Sequence, residues 1–145
     1  MTNTSSTATT HLILSLALPF GAAMVFAVLV YLVPVQPMAP EMVFMFLGGA
    51  AVLGIVGPAM GRLMRAKIGQ PETLQAYLRQ SLTPTLVSLA IREAGVIMAA
   101  LYVHFGGVAI RGIAVAGVII LTMLIDVRTP GRVRAEYELL TGRRA

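Results

Sequence analysis

The chain contains no cysteine, which excludes disulfides, thiolate metal centres and cysteine nucleophiles. It has no tryptophan, and only 12% of its 145 residues are charged, about half the roughly 25% with which a soluble domain keeps its surface hydrated. Carboxylates are the scarcest charged class, six acidic residues against eleven lysines and arginines. No spacing of nucleophile, base or metal ligand emerges from so few groups, so neither an enzyme nor a cofactor-binding or metal-binding protein is expected. The nine methionines are scattered, as packing and lipid-facing residues are.

What is present in quantity is hydrocarbon. Hydrophobic residues make up 57% of the chain and gather into apolar runs at about 12–33, 42–60, 84–105 and 108–125. Each run is about 18 residues or longer, enough to cross about 30 Å of hydrocarbon at about 1.5 Å per residue. The pattern predicts an all-α integral membrane four-helix bundle, one membrane domain over residues 1–145. The first run exceeds the roughly 7 to 15 residues of a signal-peptide core and has no lysine or arginine before it, so it reads as a retained span. Prolines 34, 37 and 40 in VPVQPMAPE predict an extended link, and Gly106-Gly107 a tight turn.

Basic residues orient the spans. Arg62, Arg65, Lys67 and Arg79 fall in the loop 61–83, and Arg128, Arg132, Arg134, Arg143 and Arg144 in the tail 126–145. Lysine and arginine are enriched on the cytoplasmic side, which predicts a cell (inner) membrane protein with both termini cytoplasmic. The net charge of +5 is thereby assigned to topology and not to nucleic acid. Tyr31 and Tyr102 fall near the outer ends, as interfacial aromatics do. Pro71 to Ser81 reads as a short helix on the headgroups. The tail offers Thr129 as N-cap, Pro130 as first helical residue and the stripe Val133, Tyr137, Leu140, an interfacial helix.

The feature that asks for a function is Arg92-Glu93, inside the third apolar run. A charge at membrane depth costs about 2.5 to 3.5 kcal/mol on insertion scales and marks a functional site by default. With that helix starting at Pro84, Glu93 lies about 13 Å into the hydrocarbon, and Arg92 is long enough to snorkel back. Residues counted to the same depth are small: Gly21, Ala22 and Ala23, then Ala50, Ala51 and Gly54, then Ala114, Ala116 and Gly117. They predict a Glu93 turned inward, with close backbones or water beside it. Ser88 supports the site, and Pro19 frees the carbonyl of Ser15 as a shallow acceptor for Arg92. Gly57-x-x-x-Gly61 and Gly112-x-x-x-Ala116 have helix-packing spacing, usable for self-association. Thr122, Asp126 and Arg128 read as the interfacial end of the fourth span. His104 and Arg111 form an outer-face polar group, and His11 falls on the other side from His104, which argues against a two-histidine metal site.

Residues 42–105 bear a partial resemblance to the hairpin of ATP synthase c-type proteolipids. It is carried by the small-residue helix GGAAVLGIVGPAMG, by Gln70-Pro71-Glu72 in the loop, and by LAIREAGVI, where Glu93 stands at the family's carboxylate. The resemblance implies a carboxylate that takes and releases a proton. Two functions are therefore expected. The leading one is a non-enzymatic accessory or structural subunit of a membrane assembly, with Arg92 and Glu93 organising the bundle or its contact with another membrane protein. The alternative is proton or ion handling through Glu93, tuned by Arg92. The expected partners are the lipid bilayer and a second membrane protein or copy.

Overall fold

The computed structural model describes residues 2–142, with side chains from residue 6; Arg143 and Arg144 of the basic tail lie outside the described residues. Helix α1 (Thr2–Ala27) runs into a π-helical turn (Val28–Leu32), followed by α2 (Pro40–Ala66), α3 (Leu74–His104), α4 (Ala109–Ile125) and α5 (Pro130–Thr141). The fold is all-α. Three of its helices, α1 with its π turn, α2 and α3, are long and apolar enough to cross a membrane. The 17 residues of α4 reach about 26 Å, and α5 bends away from them by 67°. The molecule is a multi-span helical bundle suited to a bilayer.

Two boundaries differ from expectation, and both shape the site. Helix α2 continues to Ala66, so Arg62 and Arg65 stand on its last turns and not in the loop. The expected headgroup helix and the third span are one 31-residue helix, α3, with Pro84 inside it. Its start is set by Thr73, whose Oγ1 accepts from the N–H of Ala76 at 3.2 Å, a standard N-cap. Pro84 lacks a donor, but it is buried and its carbonyl faces Gly61. Packed neighbours hold a proline-containing helix together in this way. At about 46 Å, α3 is longer than the hydrocarbon is thick. Helix α1 likewise starts at Thr2, ten residues before the first apolar run.

Helix α3 is the hub. It is buried along its whole length and packs on α1, α2 and α4. The α2 contact is close because Gly57 and Gly61 carry no side chain: a Cβ at Gly57 would lie 2.9 Å from the Ser88 carbonyl, and one at Gly61 2.7 Å from Ser88 Cβ. On α4, Gly112 admits Val103 and lies against the Ala99 carbonyl, and Ala116 is 2% exposed. Both small-residue motifs are thus occupied inside the bundle, and self-association must use another surface. Between the helices sit Ala22, Phe26, Ala50, Leu89, Val96, Ala99, Ala100, Ile119 and Met123.

Helix α5 begins as its residues dictate, with Thr129 Oγ1 accepting from the N–H of Arg132 at 3.3 Å and Pro130 at the first position. Two residues of its stripe pack inside the molecule. Val133 and Tyr137 are buried against Tyr77 and Leu78 of α3, Tyr77 donates its hydroxyl to Glu136 at 2.9 Å, and Leu140 is left exposed. The cause is the first part of α3, ahead of Pro84, which offers Tyr77 and Leu78 as an apolar surface. Tyr137→Ala is expected to remove about 3 kcal/mol from this docking and to speed limited tryptic cleavage after Arg132 and Arg134 severalfold. Unchanged cleavage would mean that α5 does not depend on Tyr137.

A basic vestibule as the candidate functional site

Arg92 lies on the face of α3 between α2 and α4, its Cγ where a side chain on Gly57 would have to go. It is 1% exposed. Its head turns back along the helix to the C-terminus of α4, where Nη1 donates to the Thr122 carbonyl at 3.0 Å and Nη2 makes an ion pair with Asp126 Oδ2. Asp126 is the C-cap of α4 and its own N–H also bonds to the Thr122 carbonyl. The guanidinium therefore meets the negative end of a helix dipole and a carboxylate together, a charge-assisted arrangement that suits a buried cation. Arg92 Nε is buried with no hydrogen-bond partner.

Glu93 is not the partner of Arg92. Adjacent residues on a helix do not face one another, and one step round α3 takes Glu93 off the inward face. It is half-buried, between the buried Leu89 and Val96 and the exposed Ala90. No hydrogen bond or ion pair involves it among the described residues. The expected ring of small residues around it does not form either. Ala22, Ala50 and Ala116 are in the core with Val96, Ala99 and Ala100, further along α3. Gly54 is half-buried against Ile119, Gly21 is half-buried, and Ala51, Ala114 and Gly117 are exposed. Counting depth from the ends of the apolar runs fails because the helices continue past those ends by different amounts.

The remaining expected site residues are spread through the bundle. Ser88 is buried and lines the same cavity as Arg92. Pro19 and Ser15 are buried in α1, but Arg92 takes the Thr122 carbonyl instead of that of Ser15. Ser15 donates to the His11 carbonyl at 2.6 Å, and His11, 1% exposed, pairs through Nε2 with the Leu78 carbonyl at 2.8 Å. His104 is buried at the opposite end, its ring 5.1 Å from that of Phe105. Arg111 is exposed, and its guanidinium makes no hydrogen bond or ion pair among the described residues.

Arg92 and Asp126 form the floor of an open cavity of about 500 Å³ bounded by the last turns of α2, the first half of α3, the end of α4 and α5. Its walls include Arg62 and Arg65 from α2, Arg128 and Arg132 from the α4–α5 junction, and Glu136 from α5. Arg128 is 5% exposed and pairs with Glu136 at 2.8 Å; Arg132 Nη1 donates to the Ile125 carbonyl at 2.7 Å. Arg62 and Arg65 have no hydrogen bond or ion pair among the described residues. Five arginines face two carboxylates, so the vestibule holds an excess of positive charge. Guanidinium groups in such a setting recognise carboxylate and phosphate. The expected basic end of the molecule is thus concave, and Asp126, expected at the interface, lies inside the cavity as the counter-ion of Arg92. The chain matches no family model, no curated protein and no solved structure.

Proposed function

We propose that this chain is an ion-handling membrane protein whose exchange site is the Arg92–Asp126 couple on the floor of the basic vestibule. One observation carries the reading: a guanidinium that is 1% exposed has as counter-ion a carboxylate that is 42% exposed. Asp126 is reachable from water while Arg92 is held in place, so an incoming anion can take the seat of Asp126 without moving the cation. The excess of arginines selects an anion. Beyond the floor the interior is apolar, with Val96, Ala99, Ile119 and Met123 in the way. Loading and release therefore occur from one face. With α4 counted as a fourth span and the basic end cytoplasmic by charge, that face is the cytoplasmic one and both termini lie there.

Inorganic phosphate is the simplest probe. In detergent at fixed ionic strength it should raise the unfolding temperature relative to chloride, with a stabilisation of about 2.7 kcal/mol when phosphate is about a hundredfold above its Kd. Arg92→Gln should abolish the response and Glu93→Gln should leave it intact. If Glu93→Gln abolishes it as well, the anion does not sit on the Arg92–Asp126 couple alone and the reading fails. If the parent protein does not respond, the reading fails. The accessory-subunit reading gains no observation of its own, because the exposed apolar faces of α1, α2 and α4 suit lipid as well as a partner helix.

A further inference from the structure

A second concavity adjoins the vestibule. Between α2 and α4 runs a groove of about 440 Å³, almost wholly apolar, lined by Ala51, Gly54 and Ile55 on one side and Ala114, Val118 and Thr122 on the other. It exists because small side chains stand where larger ones would close the gap. Thr122 joins the two concavities: its side of α4 lines the groove, and its carbonyl is held by Arg92 on the vestibule floor. Thr122 thus sets the apolar groove beside the vestibule, whose Arg62 and Arg65 make no hydrogen bond or ion pair among the described residues.

We infer that the vestibule and this groove together bind one anionic phospholipid, its phosphate among the arginines and one acyl chain in the groove. This rests on the anion-selective reading of the vestibule and names the anion's class. The length of the groove suits an acyl chain. From Ala114 to Thr122 the groove runs about 12 Å, close to half the thickness of the hydrocarbon, so it is one leaflet deep on the basic side. Charge favours the same occupant, since basic pockets between membrane helices hold anionic headgroups. Arg62 and Arg65 stand on α2 about two and about three turns beyond Ile55, the place for a headgroup when the chain lies along Ile55 and Ala51.

The test is native mass spectrometry of the intact protein released from detergent, titrated with dioleoyl phosphatidylglycerol or dioleoyl phosphatidylcholine. Phosphatidylglycerol should bind at least about tenfold more tightly, in one-to-one stoichiometry. Ala114→Phe fills the groove from an exposed position, and it should lower that affinity about tenfold while leaving the thermal response to inorganic phosphate unchanged. The double variant Arg62→Gln, Arg65→Gln should lower both. Equal binding of the two lipids, or an Ala114→Phe variant that binds phosphatidylglycerol as the parent does, would overturn the inference and leave the anion site standing. A dimer that retains no lipid would assign the groove to a second copy, and overturns it too. Loss of the phosphate response with lipid selectivity intact would strike the exchange reading alone.

Discussion

Asp126→Asn is expected to destabilise the bundle by about 3 kcal/mol, whereas Arg92→Met at the other end of the same ion pair is expected to cost about 1 kcal/mol. The asymmetry follows from burial. Removing one member of a buried pair costs about 3 to 5 kcal/mol because the remaining charge is left uncompensated. Here only the arginine is deeply buried; Asp126 is 42% exposed. Asparagine at 126 can still accept a hydrogen bond but carries no charge, so the guanidinium beneath Ser88 and Gly57 loses its counter-ion, while methionine at 92 leaves a carboxylate that water can solvate. The double variant should resemble Arg92→Met alone, since the stranded charge is gone. Phosphate should restore much of the loss in Asp126→Asn, because a bound anion supplies the charge that asparagine lacks. Chemical or thermal unfolding in one detergent measures all four proteins. Equal, small losses from both single variants would mean that the pair is screened by water and is neither a structural anchor nor an exchange site.

Gly57→Val should be nearly as damaging, for a reason independent of charge. A Cβ at Gly57 would lie 2.7 Å from Arg92 Cγ and 2.9 Å from the Ser88 carbonyl. The second of these is backbone and cannot be relieved by a rotamer change. Helix α2 must then move off α3, losing packing over several turns and opening the floor of the vestibule. Overpacking of this kind costs about 1 to 3 kcal/mol, and the branched side chain places the expected loss at the top of that range. The internal control is Gly117→Ala. Nothing lies within 4 Å of that added methyl, and alanine is favoured over glycine in a helix by about 1 kcal/mol, so this variant should be neutral or slightly stabilising. A Gly57→Val protein as stable as the Gly117→Ala protein would show that the α2–α3 contact is looser than its geometry implies.

These two glycines illustrate what a sequence pattern can and cannot tell. Gly57, Gly61, Gly112 and Gly117 look alike as letters in apolar runs, and the spacing of the first three suits helix packing. Only the arrangement of neighbours separates Gly57, under Arg92, from Gly117, in open space. The ion pair was partly legible. Arg92 lies 14 residues before Gly106, and Asp126 lies 19 after Gly107. In a hairpin the offset of about five residues is about 7.5 Å, within reach of an arginine leaning toward its helix N-terminus. Counting from the turn finds Asp126. Counting from the ends of the apolar runs does not, because polar residues at those ends are still helical: Arg62 and Arg65 belong to α2 and Leu74 to Thr83 belong to α3.

Composition and hydropathy alone determined that the chain is all-α, built for lipid, turned by prolines at 34–40 and glycines at 106–107, and basic at one end. Those properties are sums over many residues, and each residue contributes regardless of its partners. Which acid answers Arg92, that Glu93 faces away from it, and that five arginines surround one cavity were decided by tertiary structure. Each depends on helix rotation and relative height, and on a helix a single residue step turns a side chain by about 100°. A charge pattern can say which end of a membrane protein is basic. Whether those charges disperse over a surface or converge on a ligand is settled only when the helices pack.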